Sequence, residues 1–205
     1  MIEFIPVTMP ADLNGQANGK LGPCHTKAVY FPGLGYAGLH TLAARAWELL
    51  AIMCHAETGV KLTTTGGGAY RSYDQQLSAF QTRMTLNFDP NVNRDPAITR
   101  TWNGQTWYLR KGYAPVAAPG TSNHGWGLAI DSAIFKDGRI LGITSDARVW
   151  KWLQDNAVSF GFSWEGARPG QPGWEPWHIR YVAGDKIPQR ILDIEAWLAA
   201  ASKAS

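Results

Sequence analysis

The sequence is poor in several features that mark particular classes of protein. Its 205 residues include only two cysteines, Cys24 and Cys54, and that count does not establish a disulfide. No apolar run is long enough to span a bilayer. The first fifteen residues lack the positive start and the continuous apolar core of a secretory signal. We therefore expect a chain made in the cytoplasm, without a membrane span or an export signal.

An excess of charge of one sign is missing as well. Lysine and arginine number 19 against 16 acidic residues, and no block of basic residues stands out. This balance argues against nucleic acid as a partner, whereas a weakly basic surface is compatible with an anionic polymer such as cell wall. The sequence does contain 45% hydrophobic residues and ten tryptophans. Such a composition is typical of a folded globular protein.

Four helices are predicted from apolar periodicity and from capping signals. Apolar residues recur at helical spacing from about residue 39 to 58, where a glycine follows. Ser72 and Gln75 have the spacing of a capping box, which predicts the start of a second helix. Ser145 is the predicted cap of a third helix, and Pro188 is predicted to open the last one.

Short strands are predicted between these helices. Their ranges are 60–65, 127–135, 140–143 and 178–182. A long loop, 87–120, contains a predicted hairpin about the turn Asn103-Gly104. No internal repeat or linker divides residues 1–205, so we expect one α+β domain, with residues 1–59 as an N-terminal wrap and first helix.

The stretch SNHGWGLAIDSA, residues 122–133, places an acidic side chain in an apolar strand. Burying the lone charge of Asp131 is costly unless it is paired or holds a metal. His124 precedes the strand, and the glycines beside it allow the backbone to fold it back toward Asp131. Two interpretations stay open at this point: a metal bound by both residues, or an ion pair between Asp131 and Arg180 of a later strand.

A zinc site needs a third ligand from elsewhere in the chain. His178 is the most attractive candidate, because a proline favours an extended turn before it and Glu175 lies three residues upstream. A carboxylate just outside a metal shell is where a general base must be. The two Cys-His dipeptides are a weaker alternative, since neighbouring side chains on a helix point about 100° apart.

Three motifs together resemble one peptidase family. SNHGWGLAID (122–131) matches the pattern S-x-H-x-x-G-x-A-x-D, EPWH (175–178) matches E-x-x-H, and AYRSYDQQ (69–76) is similar to Y-R-S-x-x-x-Q. This set, in this order over roughly residues 60–185, resembles the VanY-like D-alanyl-D-alanine metallopeptidases, zinc enzymes that include phage endolysins.

The resemblance implies a fold and a site. The fold is of the hedgehog and D,D-peptidase type, in which a small antiparallel sheet carries one catalytic Zn²⁺ and is flanked by helices. The implied zinc ligands are His124, Asp131 and His178. Glu175 is the implied base, and Arg71 is implied to bind a substrate carboxylate or the oxyanion. Four further substrate contacts are implied at Ser122, Gln76, Tyr70 and Trp177.

Several of these side chains have an ordinary alternative. Arg71 could pair with a surface carboxylate, Gln76 could lie on a helix surface, and Ser122 could cap a turn. The tryptophans around the motifs could line a substrate groove or pack in the core.

The implied function is zinc-dependent cleavage of peptidoglycan stem peptides at bonds that involve D-amino acids. A D-Ala-D-Ala carboxypeptidase is the closest variant, and an endopeptidase that cuts L-Ala-D-Glu or a cross-bridge is the next. With no export signal, we expect a monomeric, phage-type endolysin released through a membrane lesion. A non-catalytic, zinc-stabilised module that binds cell wall or a partner is the alternative of a different class. The presence of both Glu175 and Arg71 favours the enzyme.

Overall fold

The computed structural model describes residues 2–203, which form an α+β fold with small antiparallel sheets, as predicted. The helices are α1 (Thr41–Thr58), α2 (Tyr73–Arg83), α3 (Ala147–Asn156) and α4 (Gln189–Lys203). The strands are β1 (Thr26–Phe31), β2 (Gly35–His40), β3 (Lys61–Thr64), β4 (Met84–Thr85), β5 (Thr99–Trp102), β6 (Gln105–Leu109), β7 (Ala129–Lys136), β8 (Arg139–Gly142), β9 (Phe162–Trp164) and β10 (His178–Tyr181).

The central sheet has five antiparallel strands. Its order is β3-β7-β10-β9, and β8 pairs with the C-terminal half of β7. Strand β7 therefore has neighbours on both edges, and its apolar residues, such as Ile130 and Ile134, are fully buried. This position explains why the strand reads as an almost continuous apolar run, with Asp131 as the exception.

Helix α1 packs on this sheet and supplies much of the main core. The indole of Trp47 is 1% exposed and meets the ring of Phe162 edge-on, with 6.2 Å between centroids. Gly59 ends the helix in the left-handed conformation, at φ 75°, as its position predicted. The helix begins at Thr41, later than predicted, because Leu39 belongs to β2.

The N-terminal residues also contribute to the main core. The hairpin of β1 and β2 buries Val29 and Phe31 in the same core as α1. Further upstream, the backbone amide of Thr8 donates to the carbonyl of Val182, just beyond β10. The first forty residues are thus joined to the strand that carries the last functional motif.

A second, smaller core lies beside α2. Strands β4, β6 and β5 form a three-stranded sheet whose hairpin turns at Asn103-Gly104, both with positive φ, as predicted. The buried members of this core are Phe80, Met84, Leu109, Val116 and Ala118. The long loop predicted at 87–120 therefore has a packed interior of its own.

The predicted cap of α3 was wrong by one residue. Asp146, and not Ser145, accepts hydrogen bonds from the amides of Arg148 and Val149, at 3.1 and 3.4 Å. Ser145 instead ends a short 3₁₀ turn, so its side chain lies one position too early. Helix α4 begins directly after Pro188, as predicted. Across residues 2–203, every helix is too short or too polar to cross a membrane.

Candidate active site

The register of two strands sets the centre of the site. In the antiparallel pair of β7 and β10, His178 lies directly opposite Asp131. His124 comes from a 3₁₀ turn, Asn123–Trp126, which immediately precedes β7. Gly127 ends this turn at φ 64°, and a Cβ there would lie 2.6 Å from the backbone nitrogen of His40. The glycine therefore allows the close turn that returns His124 to Asp131.

Two imidazoles and one carboxylate converge at this point. The Oδ1 atom of Asp131 lies 3.0 Å from Nδ1 of His178 and 3.4 Å from Nε2 of His124. One ligand atom from each residue lies within 4.8 Å of the other two. Nδ1 of His124 donates to the carbonyl of Ala69 at 3.0 Å, which leaves its Nε2 lone pair free. The three donors match a catalytic zinc site with a position open for substrate or water.

The side chains of this cluster stabilise one another in their charged forms. Burial opposes ionisation of Asp131, but its interactions with the imidazoles of His124 and His178 outweigh this effect and hold the pKa of the carboxyl well below its usual range. Burial also opposes protonation of His178, yet hydrogen bonds to Asp131 and Glu165 raise its pKa to about 9. A bound cation takes the place of the proton on such an imidazole, so metal affinity here depends on pH.

Glu165 is a site residue that the sequence analysis missed. Its Oε1 accepts from Nε2 of His178 at 2.8 Å, and its Oε2 accepts from Arg180 at 3.2 Å. The pairing of Asp131 with Arg180, which the sequence left open, is therefore wrong. Strand β9 pairs with β10, and Glu165 follows β9 at the position opposite His178. An acidic residue directly after a short apolar strand was the signal that could have found it.

The three candidate metal ligands lie in the wall of a cleft of about 390 Å³. Predicted residues that line it include Arg71, Ser122, Glu175 and Trp177. Glu175 is exposed, and its carboxylate makes no hydrogen bond within residues 2–203. It is therefore free to exchange a proton with a molecule in the cleft. Trp177 is 41% exposed, which excludes a purely core role for this indole.

A glycine-rich turn holds Arg71 in the cleft. Its Nε and Nη2 atoms donate to the carbonyl of Gly67, at 3.3 and 2.9 Å, and this leaves Nη1 for a ligand. A Cβ on Gly68 would lie 2.8 Å from Cβ of Asp131 and 2.5 Å from Oγ1 of Thr64. The glycines therefore allow the turn to approach the metal-ligand strand closely.

Gln76 and Tyr70 do not line the cleft. Gln76 is buried, and its amide accepts from Gly120 and donates to Asn18. The hydroxyl of Tyr70 accepts from the amide of Leu21 at 3.0 Å. Both side chains hydrogen-bond to neighbouring segments of the chain and so help to position the cleft residues. Direct contact with a substrate stays a prediction for them.

The long loop contributes one wall of the cleft. Residues 114–117, which include Val116 of the second core, line the cleft together with the candidate metal ligands. The hairpin of β5 and β6 itself packs against α2, where Trp102 and Trp107 both contact the ring of Phe80. The part of the loop that faces a substrate is therefore the segment after the hairpin.

Comparison with known proteins connects this site to a family. The model of the family VanY, D-alanyl-D-alanine carboxypeptidase, matches residues 38–184. YodJ of Bacillus subtilis, assigned as a carboxypeptidase, is 32% identical over 143 residues, which are 66% of this chain and 43% of YodJ. A D-alanyl-D-alanine carboxypeptidase of Enterococcus faecalis is 40% identical over 95 residues, 40% of this chain and 32% of that protein. The chain thus spans less than half the length of these curated relatives.

Solved structures agree on the fold. The LD-carboxypeptidase LdcB, whose structure reveals the basis of peptidoglycan recognition, has a TM-score of 0.56 and 26% identity, covering 86% of this chain and 76% of LdcB. VanYB in complex with D-alanine-D-alanine has a TM-score of 0.50 and 21% identity, and the match covers 93% of this chain and 90% of VanYB. The resemblance inferred from three motifs is confirmed. Since the family match covers well over half of its length, the chain belongs to the VanY family of D-alanyl-D-alanine carboxypeptidases, which are metallopeptidases.

Proposed function

We propose that this chain is a zinc-dependent peptidase that cleaves peptidoglycan stem peptides at a bond involving a D-amino acid, as a D-Ala-D-Ala carboxypeptidase. One observation carries the proposal: the unpaired carboxylate of Glu175 shares a single cleft with the three metal-ligand residues and with Arg71. A structural zinc site has no need of a free base and a free guanidinium donor beside it.

Each residue of the cleft has its own role in peptide hydrolysis. When bound, zinc acts as a Lewis acid on the scissile carbonyl and lowers the pKa of water. Glu175 accepts the proton of the attacking water and returns it to the leaving amine. Nη1 of Arg71 donates either to the terminal carboxylate of the substrate or to the oxyanion formed during attack. Ser122 and Trp177 border the substrate on the remaining sides.

Endopeptidase activity is the second candidate, and a specific feature favours it. A further cavity of about 680 Å³ shares Glu175 and residues 115–117 with the cleft. The cleft thus continues beyond the base, with room for a longer peptide on one side of the scissile bond. Such an enzyme suits the role of a phage-type endolysin that acts on cell wall from within, which we propose as its biological setting.

Digestion of purified peptidoglycan tests the function. We expect the zinc-loaded protein to release soluble fragments, and a chelator to stop the release. Mass spectrometry separates the candidates, because free D-alanine indicates a carboxypeptidase and larger stem fragments indicate an endopeptidase. Wild-type protein that binds the wall and releases nothing would support a binding module instead.

Substitution of the base provides the matched control. Glu175→Gln should retain zinc and lose roughly 100-fold or more of the turnover, since it removes proton transfer alone. Zinc content and rate are both measured on the same preparation. Turnover at the wild-type rate in this variant would remove Glu175 from the mechanism.

A further inference from the structure

Two arginines line the cleft, and they differ in their partners. Arg71 is held by the carbonyl of Gly67. Arg83, the last residue of α2, is partly buried in the same cleft, and its guanidinium makes no hydrogen bond or ion pair within the described chain. Its backbone is nevertheless fixed, because its carbonyl accepts from the amide of Arg110 at 2.8 Å. Arg83 therefore brings a guanidinium that has no protein partner within residues 2–203 to the cleft from a fixed backbone position.

The two guanidinium groups approach the cleft from opposite ends of one helix. Arg71 precedes α2 and Arg83 ends it, and the eleven residues of this helix span roughly 16 Å at 1.5 Å of rise per residue. Burial lowers the pKa of Arg71, the negative charge of Asp131 opposes this, and the positive charge of Arg83 lowers the pKa further. The two guanidinium groups thus repel each other, a cost that an anion bound near both would relieve.

The acidic residues of the cleft do not neutralise Arg83. Asp131 is committed to the two histidines, and Glu175 lies more than 4.0 Å from any arginine nitrogen. A partly desolvated guanidinium presents several donors in a planar fork, which matches a carboxylate. Such a guanidinium suits an anionic group of a molecule bound in the cleft.

We propose that Arg83 is a specificity-determining residue that binds a second carboxylate of the substrate, in addition to the group bound by Arg71. This inference rests on the proposed peptidase function and adds a substrate class to it. The preferred substrates are acidic stem peptides, which carry a free carboxylate on a side chain or on a γ-linked residue besides the terminal one.

The test uses synthetic stem peptides in which each non-terminal carboxylate in turn is replaced by its carboxamide. For the zinc-loaded wild type, we expect one such replacement to lower kcat/KM about tenfold or more, mainly through KM, because a charge-assisted hydrogen bond is lost. In Arg83→Gln, the ratio of kcat/KM for the acid peptide to kcat/KM for the amide peptide should fall toward one. Arg139→Gln, which changes an exposed arginine of β8 outside the cleft, should keep the wild-type ratio.

The outcomes separate this inference from the proposed function. An unchanged ratio in Arg83→Gln, or a wild type indifferent to every amide replacement, would overturn the role of Arg83 while peptidase activity stands. Calorimetric binding of the same peptides to zinc-loaded Glu175→Gln, with and without Arg83→Gln, gives a readout without turnover. If Glu175→Gln binds the acid peptide more tightly than the amide and the added Arg83→Gln removes this preference, the role of Arg83 is supported even where the wild type hydrolyses neither peptide. Equal binding of both peptides by Glu175→Gln contradicts it.

Discussion

Three carboxylates around the metal site differ in function because they differ in partners. Asp131 lies within ion-pair distance of both histidines, whereas the carboxylate of Glu175 makes no hydrogen bond or ion pair within residues 2–203 and lines the cleft. Glu165 lies behind His178 and joins it to Arg180. Sequence reasoning found the first two through local motifs. It missed Glu165, whose role depends on the pairing of two strands separated by a long turn.

Removal of the Glu165 carboxylate should weaken metal binding. A carboxylate that accepts from the second nitrogen of a ligand histidine fixes the ring and raises its basicity. We expect Glu165→Gln to lower zinc affinity by about 10-fold to 100-fold, measured at pH 7 by competition with a chromophoric chelator.

The control for this prediction is Glu175→Gln, which also removes one charge from the cleft. Its carboxylate makes no hydrogen bond or ion pair with His124, Asp131 or His178, so zinc affinity should stay near the wild-type value. Equal affinities for Glu165→Gln and the wild type would show that Glu165 does not support the metal.

At the scale of elements, helix starts were predictable where the side-chain pattern was unambiguous. Ser72 and Gln75 form both hydrogen bonds of the predicted capping box. The start of α3 offered two adjacent cap-type residues, Ser145 and Asp146, which rank alike as caps. The choice between them depends on where the preceding 3₁₀ turn ends, and this turn, Ile143–Ser145, begins at a residue buried in the main core.

The cap of α3 should contribute measurable stability. Asp146→Ala should lower the free energy of unfolding by about 1 kcal/mol, because two helix amides lose their acceptor. Asp146→Asn keeps a capping oxygen and should lose less. Denaturant titration at pH 7 distinguishes the two, and equal losses would assign the effect to charge alone.

Asp146 also makes the free energy of unfolding depend on pH, and its lowered pKa gives the direction of this dependence. Burial opposes ionisation, but hydrogen bonds from Lys136 and from the amides of Val149 and Arg148 lower the pKa of Asp146 below its usual value. Its contribution is therefore present above the unfolded pKa, near 4, and is lost as pH falls through the folded pKa. Asp146→Asn should be correspondingly less sensitive to acid than the wild type below pH 4.

At the scale of the whole molecule, the site was more predictable than its surroundings. The alternation of β7 and the spacing of the motifs sufficed to predict that His124, Asp131, His178 and Glu175 meet in one cleft, while their roles as metal ligands and base stay predictions. The roles of the first forty residues and of the loop 87–120 were not predictable, because they depend on long-range contacts with little local pattern. Asn18 is the clearest case: it bonds Gln76 and the carbonyl of Ser122, both remote in sequence.

The two cysteines report on the integrity of the whole fold. Both are free thiols, and Cys54 is fully buried in α1, where burial raises the pKa of its thiol to about 11. At pH 8 iodoacetamide should therefore label Cys24 alone, and label Cys54 only as denaturant unfolds the protein. Mass spectrometry counts the labels, and Cys24→Ser should show none in the native state. Rapid labelling of both thiols without denaturant would contradict the buried position.

The bonds of Asn18 bear on how this protein can be shortened. The span matched by the family model begins at residue 38, twenty positions later. A fragment cut to that span would keep every ligand, the base and both cleft arginines. It would nevertheless lack Asn18, whose side-chain amide joins Gln76 of α2 to the carbonyl of Ser122 in the cleft wall, so designers who trim the chain should keep the residues before position 38.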